Sequence, residues 1–247
     1  MKSESGVHDH ALLSEQMEYY RARAQEYDEW FFRRGRYDRG HEVNERWFIE
    51  ADQARRALDD FAPAGNVLEL ACGTGLWTQQ LVRHASRITA VDASSEMISL
   101  NKARIDSPIV HYEQADIFEW RPSEKYDVVF FSFWLSHVPP ERFEAFWSVF
   151  ADALVPGGRV FFVDSRFDKT STAKDHRLER PDATTATRRL NDGREFRIVK
   201  VFYSAQRLAQ RLAALGWNFE IVETPNFFIY GAGNRKAPEE HGQEARK

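Results

Sequence analysis

Residues 69–75, Glu69-Leu70-Ala71-Cys72-Gly73-Thr74-Gly75, place an acid beside two glycines at the end of a short apolar run. Glycine at the mouth of a strand lets the backbone approach a ligand that a Cβ would strike, which is the expectation for Gly73 and Gly75. Asp92 ends the next apolar run, about 20 residues further on, where a carboxylate can take both hydroxyls of a ribose. Asp116 follows the third run and is placed to accept from an adenine amino group, with Ile117 packed on the ring. The acid at Glu69 suits a ligand that carries positive charge and would repel a pyrophosphate. The dinucleotide fingerprint G-x-G-x-x-G also needs a third small residue, and Thr78 stands in its place. These residues describe recognition of a cationic adenine nucleoside, and a nicotinamide oxidoreductase fits them less well.

A second group bears on the reacting partner. His137 follows the fourth run, in Ser132-Phe133-Trp134-Leu135-Ser136-His137-Val138-Pro139. It is the candidate general base, because histidine titrates near neutrality; the other reading is a loop histidine bonded to backbone. Trp30, Phe31, Phe32, Tyr37, Phe133 and Trp134 are candidates for an aromatic pocket around a flat substrate, ordinary core and lid packing accounting for a share of them. Cys72, the sole cysteine, reads as a small buried hydrophobe. His8 and His10 have no third ligand nearby, so no metal site is expected.

The elements that must position these groups follow from periodicity. Residues 12–27 read as a helix with Leu13, Met17, Tyr20 and Ala24 on one face, and 43–61 as a second with Trp47, Ala51, Ala54 and Leu58 inward. Between them lies a loop rich in Gly and Arg. Strand candidates at 67–70, 87–91, 109–112, 127–131 and 160–163 alternate with helical stretches at 76–84, from Ser95, and after Pro139-Pro140; Ser94 is the expected N-cap. Residues 195–203, a helix carrying Leu208, Leu212 and Leu215, and 219–230 complete the pattern. Strand and helix in alternation mean a doubly wound, mostly parallel α/β sheet. Residues 165–191 read as a long polar insert, and 1–10 and 233–247 as disordered ends. The expected division is a start and helical cap over 1–60, a ligand-binding domain over 61–232, and a tail over 233–247.

The 247 residues suit one sizeable domain with a cap, and 43% hydrophobic residues supply its core. A net charge of −4 argues against general affinity for nucleic acid. No segment approaches the ~20 apolar residues of a membrane span, no signal peptide is evident, and one cysteine allows no internal disulfide. A cytoplasmic location without stable membrane insertion is expected; oligomeric state is not readable.

Val67-Leu68-Glu69-Leu70-Ala71-Cys72-Gly73-Thr74-Gly75, Val91-Asp92-Ala93-Ser94, Ala115-Asp116-Ile117, Tyr126-Asp127-Val128-Val129 and Leu154-Val155-Pro156-Gly157-Gly158 stand in the order and spacing of class I methyltransferases. The chain resembles that family from about residue 66 to 230, departing at Ala71, where many members carry glycine. The resemblance implies a seven-stranded, Rossmann-like sheet with its last strand antiparallel, and S-adenosylmethionine as cofactor. Glu69, Ala71, Gly73 and Gly75 would line its methionine part, Asp92 the ribose, and Asp116 with Ile117 the adenine; Ala93, Met97 and Ser132 join the implied set. The leader Tyr19-Tyr20-Arg21-Ala22-Arg23-Ala24-Gln25-Glu26-Tyr27-Asp28 resembles the cap of small-molecule and quinone methyltransferases, making Tyr19 and Tyr27 candidates for cofactor contact. The implied activity is in-line methylation, on oxygen or nitrogen, of an aromatic or heteroaromatic small molecule in biosynthetic tailoring. A quinone C-methyltransferase is the alternative. A nucleic-acid enzyme fits less, since Ser132-Phe133-Trp134-Leu135 stands where an Asn/Asp-Pro-Pro-Tyr-like motif would grip a flipped base.

Overall fold

The computed structural model describes residues 4–177 and 180–236. Its first helix, α1, spans Glu4–Arg23; a 3₁₀ turn (Ala24–Glu26) leads into α2 (Tyr27–Phe31), and α3 spans His41–Phe61. The α/β body follows as β1 (Gly65–Leu70), α4 (Thr78–Leu81), β2 (Ala85–Asp92), α5 (Ser95–Arg104), β3 (Val110–Gln114), β4 (Tyr126–Ser132), α6 (Phe143–Ala153) and β5 (Leu154–Ser165). Two short strands, β6 (Thr185–Arg189) and β7 (Glu195–Val199), precede α7 (Ala205–Ala214), β8 (Trp217–Glu223) and β9 (Phe228–Arg235).

Seven strands form one sheet in the order β3-β2-β1-β4-β5-β9-β8. Pairing is parallel from β3 to β5, and β9 runs antiparallel to both β5 and β8. Chain order reverses between β1 and β4, the switch point outside whose strand ends ligands bind in doubly wound folds. The central strands are buried over most of their length because helices cover both sheet faces. On one face α3 buries Trp47, Ala51, Ala54 and Leu58, each at most 2% exposed. On the other, α6 and α7 bury Phe143, Phe146, Trp147, Phe150, Leu208 and Leu212. Each large side chain so buried contributes roughly 1.5–3 kcal/mol. Ser94 caps α5, accepting from the Met97 N–H at 3.1 Å.

Three expectations change. Helix α1 starts at Glu4, so residues 4–10 are helical; residues 1–3 lie outside the described part, as do 237–247 of the expected tail. Strand β9 reaches Arg235, well past residue 230, because it pairs with β5 and β8 as far as Arg159↔Asn234 and Trp217↔Arg235. The polar insert is not all loop: β6 and β7 form an antiparallel hairpin. Its turn runs through Asp192 and Gly193, where φ is +93°, a value glycine adopts freely. The hairpin's Ala186, Leu190, Phe196 and Ile198 pack on Tyr19 of α1, forming a small core of their own.

Candidate active site

Strand β1 delivers the chain into a turn of left-handed residues, with φ of +53° at Ala71, +51° at Gly73 and +88° at Gly75. Alanine is strained there by roughly 1–2 kcal/mol, where glycine would not be. The turn wraps the carboxylate of Asp92, which receives the Gly73 N–H on one oxygen and the Ser94 N–H on the other, both at 2.9 Å. Burial raises the pKa of Asp92 against the pull of these backbone bonds. Each oxygen keeps acceptor capacity facing a cleft of about 710 Å³.

That cleft lies outside the ends of β1, β2 and β4 and gathers most of the residues expected to meet the cofactor. Ala71, Gly73, Asp92, Ala93, Met97, Asp116, Ile117, Ser132 and Tyr27 line it. A Cβ at Gly73 would find no atom nearer than 3.9 Å, so its open side faces the cleft. Asp116 takes the Phe118 N–H on one oxygen at 2.9 Å, which fixes the carboxylate. Leu13, Gln16, Met17 and Tyr20 of α1 close the cleft from above.

Two expected cofactor residues sit beneath the turn instead. Glu69 is 1% exposed and does not line this cleft; one oxygen accepts the Thr78 hydroxyl at 2.7 Å and the other has no partner among the described residues. Burial pushes its carboxyl up to about 8. Thr78 in turn accepts from Asn101, whose amide also donates to the Cys72 carbonyl. Gly75 belongs to the same packing, because a Cβ there would lie 2.7 Å from the Asn101 Oδ1.

A second, inner chamber of about 850 Å³ opens between α1, α2, the β6–β7 hairpin and the segment after β5. Tyr20, Tyr27 and Phe133 line both spaces and form the wall between them. Phe133 holds φ of +52°, unusual for an aromatic residue, and its N–H bonds the Val163 carbonyl at 2.7 Å. Trp30 and Tyr37, two of the substrate-pocket candidates, line the chamber. Trp134 lies on the cleft side instead, and Tyr19, expected on that side, faces the chamber, because α1 presents residues 13, 16, 17 and 20 toward the cleft and turns 19 and 23 away. Phe31 and Phe32 pack into the core around Trp47.

His137 lies on the chamber wall with both ring nitrogens engaged. Nδ1 is 2.7 Å from the Val199 carbonyl and so carries the proton; Nε2 then accepts from the Tyr20 hydroxyl, also at 2.7 Å. Burial, and next the charge of Lys200, drive the imidazole well below its ordinary pKa. His137 is therefore neutral and presents its lone pair to Tyr20, not to open space. Tyr20, Arg23, Arg188 and Lys200 also line the chamber, and none of them was singled out as a site residue from the sequence. The signal for Tyr20 was present in the helical phase it shares with Leu13 and Met17. Arg188 comes from the hairpin and Lys200 directly follows it, and the hairpin's docking on α1 has no local signature.

The cap is clasped to the body. The Asp28 carboxylate accepts the Thr74 hydroxyl at 2.6 Å and pairs with Arg104, which also donates to the Thr74 carbonyl at 2.6 Å. Gln16 joins α1 to two elements, donating to the His137 carbonyl at 3.2 Å and accepting the Val199 N–H at 2.9 Å.

A seven-stranded, doubly wound sheet with a carboxylate-bearing glycine turn at its switch point defines a nucleoside-binding α/β protein. A methyltransferase domain model matches residues 67–158. The solved DhpI–SAH complex is 38% identical over 93% of this chain and 99% of its own, with a TM-score of 0.75, and a DhpI–SAM–HEP complex agrees at 39% identity. The chain belongs to the class I S-adenosylmethionine-dependent methyltransferases, and S-adenosylmethionine is its cofactor. Among curated proteins it is 34% identical over 68 residues to malonyl-[acyl-carrier protein] O-methyltransferase 1 of Ilyobacter polytropus. It is 40% identical over 79 residues to trans-aconitate 2-methyltransferase of an Azoarcus species. The matches span 26% and 31% of this chain, and 25% and 29% of those relatives. No helix among the described residues is long and apolar enough to cross a membrane.

Proposed function

We propose that this chain methylates a small-molecule acceptor, on oxygen, held in the inner chamber beneath the cap. The observation that carries this reading is the shared wall: ligands in the cleft and the chamber meet at Tyr20, Tyr27 and Phe133. S-adenosylmethionine supplies a methyl group on a positively charged sulfur. Asp92 holds the ribose, Asp116 and Ile117 the adenine, and Ala71, Gly73, Ala93, Met97 and Ser132 complete the cofactor's walls. Tyr20 and Tyr27, on the wall between the two spaces, would offer ~0.5–2 kcal/mol of cation–π attraction to a bound sulfonium. Alignment of acceptor and methyl group, worth up to ~7–11 kcal/mol, falls to the chamber walls, while α1 and α2 keep water out. His137 fixes the Tyr20 hydroxyl on the wall that the acceptor meets.

The DhpI complex holding SAM and HEP supports a small acceptor, and the O-methyltransferase named among the relatives supports transfer to oxygen. A lipid-tailed quinone is supported less, since arginine, lysine and histidine side chains line the chamber. Calorimetric titration with S-adenosylmethionine, S-adenosylhomocysteine and NAD tests the cofactor half. Micromolar binding of the two sulfur nucleosides and none of NAD is expected, and silence from both would sink it. Methyl transfer to a neutral quinone in preference to small polar acceptors would refute the acceptor half.

A further inference from the structure

Buried cations normally stand beside carboxylates, and most cations near the chamber do. Lys200 lies 3.9 Å from Asp164 and is held by the hydroxyls of Ser136 and Ser165 at 2.8 and 2.7 Å. Arg36 pairs with Glu26 and Asp175, and Arg180 with Asp182. Asp168, the acid on the chamber wall, bonds the N–H and hydroxyl of Thr170, both at 2.6 Å.

Arg23 and Arg188 have no such partner among the described residues. Arg23 is 8% exposed; it donates to the Tyr37 hydroxyl at 3.3 Å and lies over the rings of Tyr19, Tyr27 and Tyr37 at 4.8–5.8 Å. Its Nε has no acceptor. Arg188 donates to the Thr187 carbonyl at 3.3 Å, and burial together with the charge of Arg23 lowers its pKa. Both side chains line the chamber, and the hydroxyl of fully buried Tyr19, also on its wall, has no partner either. Two like charges turned into one partly buried space, with donors to spare, cost stability unless an anion comes between them.

Resting on the methyltransferase reading above, we propose that the acceptor carries a small oxyanionic group, phosphoryl or carboxylate, seated between Arg23 and Arg188, and that an oxygen of this group takes the methyl. Lys200 flanks the same space with part of its charge offset by Asp164. The oxyanion's lone pair forms the new O–C bond as the C–S bond breaks, and that bond's electron pair stays on sulfur. The product is a methyl ester, no proton is released, and no base is required. Such a step matches a chamber whose histidine, His137, is neutral and has both nitrogens engaged. A positive and a negative charge vanish together in the transfer, which a water-poor chamber favours.

The test uses ethylphosphonate and malonate as probes for the two sources of oxyanion, with catechol as a neutral control, titrated calorimetrically into protein saturated with S-adenosylhomocysteine. Binding of either anion and not of catechol is expected, and the stronger of the two identifies the source. Arg23→Gln and Arg188→Gln should each weaken that binding about 10- to 100-fold while S-adenosylhomocysteine affinity holds, with Arg23→Lys recovering part of the loss. Thermal melts of each variant identify one that fails to fold, and the Arg188 variant then carries the test. Tight nucleoside binding with no anion binding, or anion binding indifferent to both variants, would overturn the clamp and leave the methyltransferase reading intact. Loss of nucleoside binding itself would bring down the parent reading instead. With labelled methyl donor, label must appear as an ester by nuclear magnetic resonance; label on carbon or nitrogen would refute the transfer step.

Discussion

Asp92 and Gly75 look alike in the sequence, two motif positions at neighbouring strand ends, yet their surroundings give them different work. Asp92 faces the cleft with both oxygens anchored by backbone N–H groups. Gly75 faces Asn101, and its φ of +88° leaves no room for a side chain in either space or conformation. Asp92→Ala should therefore weaken S-adenosylhomocysteine binding by ~1–3 kcal/mol with a small loss of stability. Gly75→Ala should lower the melting temperature of the ligand-free protein, by ~2 kcal/mol or more in stability, since Asn101 must move off Cys72 and Thr78. Calorimetry beside ligand-free melts separates the two. Equal melting curves for Gly75→Ala and the parent would refute the packing role, and unchanged affinity in Asp92→Ala would refute the ribose role. Motif spacing located both residues; it could not say which faces ligand, because that depends on where Asn101 of α5 comes to lie.

At the scale of elements, the sheet and its two covering layers were legible because the inner strands carry short apolar runs and α3, α6 and α7 keep a helical period. Trp47, Ala51, Ala54 and Leu58 illustrate this: spacings of four, three and four place all of them on one buried stripe. The chamber was not legible, because its walls meet through long-range contacts. Strand β7 docks on α1 through Gln16 to Val199, and Trp30 Nε1 reaches the Ser171 carbonyl at 2.7 Å. Nothing within the hairpin's own residues announces either contact, and its polar surface reads as loop. The cap's hold on the cofactor turn is also non-local, running through Asp28, Thr74 and Arg104. Asp28→Asn removes the charge from this clasp. About 1 kcal/mol of stability should go, a few degrees in melting temperature, and S-adenosylhomocysteine should dissociate faster as α2 lifts more readily. Stopped-flow dissociation rates check this; a rate equal to that of the parent would mean α2 does not gate the cleft.

Glu69 is a buried acid whose titration the stability of the whole molecule must register. Glu69 lies at the centre of the sheet's carboxyl edge, beneath the cofactor turn, and burial raises its pKa from 4.5 to about 8. A folded-state pKa above the unfolded one means the folded chain holds a proton that the unfolded chain has released. The stability this contributes is full below pH 4.5 and is lost as pH climbs through 8. His137 acts in the opposite sense and over another range: kept neutral by burial, it costs stability as pH falls through the ordinary histidine value. Glu69→Gln keeps an acceptor for the Thr78 hydroxyl and removes only the titration. Comparing parent and variant therefore cancels His137 and isolates Glu69. The ligand-free parent should lose melting temperature relative to Glu69→Gln between pH 5 and pH 8, with the slope flattening above that window. Parallel curves across the range would show that Glu69 is ionised in the folded chain at neutral pH, and that the carboxylate beneath the turn serves the cofactor's positive charge after all.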